Sequence, residues 1–237
     1  MPEYGGLFAQ PCVFDPLWPH CHRTFTGDIV RPNSPLEIFM QGRIVVVTGA
    51  SGALGKVVAA SAFAKGAKVA GIDHASSAIK ATSERIELGG IDLTDAIEAR
   101  KAIDAAASHF GKLDTLINIA GGFAFETILD GDPKTWQRMY DLNVLTALNA
   151  CRPAIPHLVK SNAARIINVG AMGALLAGAG MGPYAASKAG VHRLTEALAA
   201  EWKGKITVNA VLPSIIDTAA NRASMPNSDF TKWVRPD

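Results

Sequence analysis

One run of residues does most to limit what this chain can become: Arg43–Thr48 (RIVVVT), followed without interruption by Gly49-Ala50-Ser51-Gly52-Ala53-Leu54-Gly55. The first part is almost wholly apolar and β-branched, with none of the polar alternation of a strand that faces water. It reads as a short strand covered on both faces, the signature of a parallel sheet. A glycine turn followed by helical periodicity through Val57–Lys65 completes a strand–turn–helix unit. In that setting the glycines carry chemistry. Gly49 permits a tight turn, Ser51, Gly52, Ala53 and Leu54 keep the turn small or open its amides, and Gly55 permits close helix–strand packing. The helix N-terminus then faces an anion such as a pyrophosphate.

The pattern repeats downstream. Ala67–Ile72 reads as a second strand, a stretch around Arg85–Leu88 or extending to Ile91 as a third, and Leu113–Asn118, Arg165–Val169 and Ile206–Leu212 as the others. Helical periodicity covers Asp95–Phe110, about Lys134 to Val159 (with Pro153 and Pro156 disturbing its end) and Tyr184–Trp202. Strands alternating with helices of this length imply a three-layer, doubly wound α/β fold with a parallel sheet, the Rossmann arrangement. Spacing between units leaves no room for a second domain within 40–237. Residues 1–39 differ: they hold six of the thirteen prolines and sustain no period, and they read as an irregular extension that is not necessarily native. Met40 directly precedes the first strand, so a start placed too far upstream would also explain them. His20-Cys21-His22 with Cys12 does not make a metal site, since adjacent ligands rarely converge and no paired C-x-x-C half exists.

Composition excludes several function classes. A net charge of +2 with no basic cluster argues against nucleic acid. Cys12, Cys21 and Cys151 are odd in number and irregularly spaced, which fits a reducing, cytoplasmic compartment better than a disulfide framework. The uncharged run from Ile166 to Ser187 is long enough to cross a bilayer, but Asn168, Pro183 and repeated glycines argue against a membrane span.

Two further features point to dinucleotide redox chemistry. Asp73 closes the second strand, where a carboxylate accepts hydrogen bonds from ribose hydroxyls and repels a 2′-phosphate, so NAD is expected over NADP. Tyr184 and Lys188 lie four residues apart, hence on one helical face, where an ammonium is expected to lower the phenol pKa and fit it for acid–base work. His157, His192 and Cys151 have no triad-like arrangement and read as packing or surface residues.

With these motifs in place the chain resembles the short-chain dehydrogenases/reductases from about Gln41 onward. The resemblance rests on TGASGALG (48–55), Asp92 in IDLTD, NIAG (118–121), Asn143 in DLNV, YAASK (184–188) and LPSIIDT (212–218). It implies that Asp92 and Leu93 lie near the adenine and that Asn118, Ala120 and Gly121 pass the cofactor. It further implies that Pro213, Ile216 and Thr218 cover the nicotinamide side, and that Asn143 anchors a water beside Lys188. A small-molecule substrate and a homodimer or homotetramer are also implied.

Ala53, Ile119 and Ser214 depart from the family pattern, and Ala171 stands where the family's catalytic serine normally stands. That last departure, with the G-A-L-G turn and DTAANRASMPNSDF (217–230), resembles the dihydropteridine-reductase-like subgroup. It implies a conjugated, pterin-like acceptor that needs little oxyanion stabilisation. The resemblance also implies another helix and strand after Ile206–Leu212, so a sheet truncated before its last strand is expected. A non-catalytic dinucleotide-binding member, or an inactive fragment, is the alternative.

Overall fold

Every residue of the first strand is buried, as the middle of a covered sheet requires. The computed structural model describes residues 40–76 and 80–236. The extension at 1–39, with its Cys12 and His20–His22 cluster, lies outside them. Strands β1 (Ile44–Thr48), β2 (Lys68–Ile72), β3 (Lys80–Ala81), β4 (Arg85–Leu88), β5 (Thr115–Asn118), β6 (Arg165–Val169) and β7 (Thr207–Val211) form one sheet of order β3-β4-β2-β1-β5-β6-β7. All pairings are parallel except the two-residue β3, which runs antiparallel to β4. The short β3 has no periodicity to reveal it; Thr82, whose Oγ1 accepts the amides of Glu84 and Arg85, makes the turn that folds it back.

Alternation along β1 divides the core. Ile44 and Val46 pack with Leu116, Ile166 and the buried faces of helices α2 (Ala96–Phe110) and α4 (Thr146–Leu158). Leu198 of α5 (Gly182–Glu201) belongs to the same cluster. Val45 and Val47 pack instead with Ala59 and Ala62 of α1 (Ala53–Ala64). Helices thus cover both faces, giving the three-layer doubly wound fold. Asp114, 3% exposed, pins the base of β1: its carboxylate accepts the Ile44 amide (2.9 Å) and the Ser161 hydroxyl (2.6 Å) and pairs with Lys112 (2.9 Å).

The long helical region departs from its expected form. It is α3 (Pro133–Tyr140), a wider π-helical turn at Asp141–Leu145, and then α4. Pro153 and Pro156 do not end α4 early. Both fall in its last two turns, where Pro153 is buried and Pro156 faces solvent. The uncharged 166–187 run is divided among β6, a 3₁₀ turn at Met172–Ala174, a loop and the start of α5. No described helix is long and apolar enough to cross a membrane. After β7, which forms one edge of the sheet, the chain makes α6 (Ala219–Ser224) and folds back so that Val234 bridges Ile216.

Candidate active site

The glycine turn is built by steric exclusion. Gly49 adopts φ 67°, and a Cβ there would lie 2.8 Å from the Ala120 nitrogen. A Cβ on Gly55 would overlap the Gly49 carbonyl oxygen. Thr48 closes the joint between β1 and the exit of β5, its Oγ1 accepting the amides of Ile119 (3.1 Å) and Ala120 (3.2 Å). Beside this turn runs a groove of about 470 Å³. Its walls are the turn itself (Gly49 and Ser51–Gly55), the acidic pair Asp73 and Asp92 with His74, Leu93 and Thr94, and Ile119–Gly121. Leu142, Thr146 and Val169 close its inner end. The first-turn amides of α1 have no intrahelical acceptors and open toward the turn. A flat, anion-bearing dinucleotide fits these features: a cradle that any Cβ would fill, a helix N-terminus for the pyrophosphate, and a carboxylate at the outer end.

That outer carboxylate is well held. Asp73 accepts the amides of Ser51 (2.9 Å) and Ala75 (2.8 Å), so it reaches across the mouth of the glycine turn. Burial works to raise its pKa, but these hydrogen bonds and the neighbouring His74 outweigh it, and the net shift is downward. Asp92 folds onto its own turn, accepting the hydroxyl (2.7 Å) and amide (2.8 Å) of Thr94, which lower its pKa. Asn149 secures that turn by donating to the carbonyls of Leu93 and Thr94.

At the inner end stand the groups expected to do chemistry. Asn143 sits in the π-helical turn, where the wider winding carries its amide inward: it accepts the Gly122 amide (3.1 Å) and donates to the Gly122 carbonyl and the Ser187 hydroxyl (both 3.0 Å). Lys188, 7% exposed, donates to the carbonyl of groove-lining Val169 at 2.7 Å. Tyr184 lies one turn earlier on α5, its ring edge-to-face with Phe123 at 5.0 Å. The expected lowering of the Tyr184 pKa by Lys188 is not what this arrangement produces. Burial pushes the phenol above its ordinary value and brings Lys188 down to about 8, while the ammonium is directed to β6.

Several further expected residues, like Asn143, Tyr184 and Lys188 themselves, are not in the groove wall. Asn118 is buried and faces away from the groove, donating to Asn168 Oδ1 (2.9 Å) and Cys151 Sγ (3.3 Å); it ties β5 to β6. Ile119, which departs from the family pattern, lines the groove. Pro213, Ile216 and Thr218 are not part of the groove wall. Pro213 accepts the Met172 amide, Ile216 bridges Val234, and Thr218 caps α6. Ala171 is buried at the exit of β6. His74, Thr94 and Leu142 also line the groove, each next to or within two residues of an expected site residue (Asp73, Asp92 and Asn143), whereas Thr146 joins it only through folding. Among the described residues no group of three or more His, Cys, Asp or Glu is placed to hold a metal ion.

The fold and groove define a dinucleotide-binding oxidoreductase. The sequence profile of the short chain dehydrogenases matches residues 43–229, and the chain belongs to that family, whose members use NAD(P). It is 29% identical over 204 residues to 2-(S)-hydroxypropyl-CoM dehydrogenase 3 of Xanthobacter autotrophicus, covering 83% of this chain and 80% of that one. It is 30% identical over 189 residues to the 3-oxoacyl-[acyl-carrier-protein] reductase of Vibrio cholerae, covering 78% of each. In structure it is similar to the ligand-free aldohexose dehydrogenase of Thermoplasma acidophilum, with a TM-score of 0.74, 25% identity and 84% of each chain covered.

Proposed function

We propose that this chain is a reductase that prefers NADH and acts on a conjugated, pterin-like acceptor, with Tyr184 as its proton donor. One observation carries the reading: the groove that begins at Asp73 and the glycine turn ends at Val169, the carbonyl held by Lys188 on the same helix as Tyr184. Asp73 and the turn would hold the adenosine half and the pyrophosphate, and the fixed carboxylate disfavours a 2′-phosphate. When bound, the nicotinamide supplies the hydride. The protein supplies a proton. Burial keeps the phenol protonated near neutrality, so a proton is present to give in the reductive direction, although the raised pKa makes the phenol a weaker acid than one tuned toward the working pH. Lys188, brought down to about 8 and one turn along the same helix, exchanges protons close to working pH and is the source we assign for restoring the proton. Asn143 fixes the loop at Gly122 against α5 at Ser187. With Ala171 in the serine position, one hydrogen-bond donor to a developing oxyanion is missing, a loss worth about 10²–10³ in rate where such charge builds up. A conjugated acceptor disperses that charge and tolerates the loss.

The test is titration with NADH and NADPH, followed by turnover of quinonoid dihydropterin and a panel of simple ketones. NADH is expected to bind more tightly than NADPH, with Asp73→Ala narrowing the gap, and the pterin to turn over faster than the ketones. Tyr184→Phe should lower turnover by at least about 100-fold and leave NADH affinity nearly unchanged. Absence of dinucleotide binding would sink the reading and leave a non-catalytic chain.

A further inference from the structure

The exit of β6 carries a hydrogen-bonding gap that one histidine fills. Gly170 and Met172 donate their amides toward β7, to the carbonyls of Val211 (2.9 Å) and Pro213 (3.0 Å). Strand geometry turns the intervening Ala171 amide to the other side. There β5 has already ended at Asn118, which pairs with Asn168, so no described strand remains to accept it. His192 accepts it instead: its Nε2 lies 3.3 Å from the Ala171 nitrogen. The acceptor role requires a neutral ring with its proton on Nδ1. His192 is 7% exposed, and burial and the nearby Arg193 and Lys188 lower its pKa, which keeps the ring in that form.

The placement of His192 is not incidental to the site. Tyr184, Lys188 and His192 recur at four-residue spacing on α5, one above another on a single face. Lys188 grips the Val169 carbonyl and His192 the Ala171 amide, so this face holds β6 at two points on either side of Gly170. Gly170 answers to the same contact, since a Cβ there would overlap the His192 ring nitrogen. Ala171 then begins the 3₁₀ turn, accepting the Ala174 amide at 3.2 Å.

We propose that His192 is a positioning residue of the active site, which fixes residue 171 and the turn that follows it relative to Tyr184 through the Ala171 backbone amide. In a site whose residue 171 has no hydroxyl of its own, backbone placement is what residue 171 contributes, and His192 sets it. The inference rests on the reading of Tyr184 as the proton donor, but the tether itself is measurable without turnover.

The test compares His192→Leu, which removes the acceptor, with His192→Gln, whose side-chain carbonyl restores one. Amide hydrogen exchange over 170–174, dinucleotide affinity, kcat and KM are read for each. His192→Leu is expected to speed exchange over this segment by about tenfold or more. It is also expected to lower kcat by about 10- to 100-fold with dinucleotide affinity within about twofold, the pattern of misplacement rather than lost binding. His192→Gln should recover most of both. If the leucine variant does not accumulate folded, His192→Met, whose flexible side chain tolerates repacking, replaces it in the same comparison. Unchanged exchange at 170–174 in the acceptor-less variant would overturn the proposal, as would equal losses in the leucine and glutamine variants. If the wild type turns over no substrate, the functional reading fails, while the exchange comparison still decides the tether.

Discussion

Lys188 is a nearly buried cation whose described hydrogen bond is to one backbone carbonyl. Its pKa falls from the ordinary lysine value to about 8 because burial disfavours the charge. A depression of that size corresponds to roughly 3 kcal/mol that folding must offset while the residue stays protonated. The unfolded chain titrates near the ordinary value, so below pH 8 both states carry the proton and the penalty is constant. Between about pH 8 and 10.4 the unfolded state binds more protons, and the penalty shrinks as pH rises. Lys188→Met is therefore expected to raise stability at pH 7 by about 1–2 kcal/mol, after allowing for the lost hydrogen bond to Val169. Its advantage should narrow toward about pH 9.5. Urea midpoints at the two pH values check this; an advantage that does not change with pH would refute it. Such a residue is kept for its chemistry and not for stability.

At the level of elements, local chemistry and tertiary demand can be separated. Helix α2 starts where its sequence says it should. Asp95 is extended and accepts the amides of Ile97 (2.7 Å) and Glu98 (3.1 Å), and Gly111 closes the helix at φ 78°. Asp95→Ala should cost about 1 kcal/mol, while Asp95→Asn costs little. In a domain of this size the alanine change corresponds to a fall in Tm of about 2–4 °C, measurable by circular dichroism. The α3–α4 region shows the opposite case. Nothing in the apolar period of Lys134 to Val159 marks the π-helical turn at Asp141–Leu145. The turn is set by where Asn143 must reach, toward Gly122 and Ser187 on other elements. The same contrast separates Asp73, legible from its place at the end of β2, from Asn118, whose motif suggested a cofactor contact but whose amide is taken by Asn168 and Cys151.

Over the whole molecule, Cys151 on α4 reports on the core, because it belongs to the buried cluster that also holds Leu116 of β5, Ile166 of β6 and the inner face of α2. The thiol has no exposed surface, and burial pushes its pKa up to about 12 despite a hydrogen bond from Asn118. Neither access nor thiolate character is available in the native state. Alkylation of Cys151, followed by mass spectrometry of its own peptide, is expected to track global unfolding in urea and to be negligible before the transition. Labelling well below the midpoint would mean that α4 opens locally. At the far side, β7 is a sheet edge with Val211 55% exposed, a surface on which another strand or chain can pair.

Period and punctuation in the chain were enough to determine the strand–turn–helix order, the doubly wound class, the glycine turn and the spacing of Asp73, Tyr184 and Lys188. These depend on contacts between near neighbours and on steric rules that each residue carries with it. The antiparallel β3, the π-helical turn, the inward face of Asn118 and the direction of the Lys188 ammonium depend on what distant segments place beside them. Only the tertiary structure decided those. It also decided the electrostatics of the site, because a pKa answers to burial: a tyrosine expected to be acidified by its lysine is instead held protonated, and the lysine gives up part of its basicity.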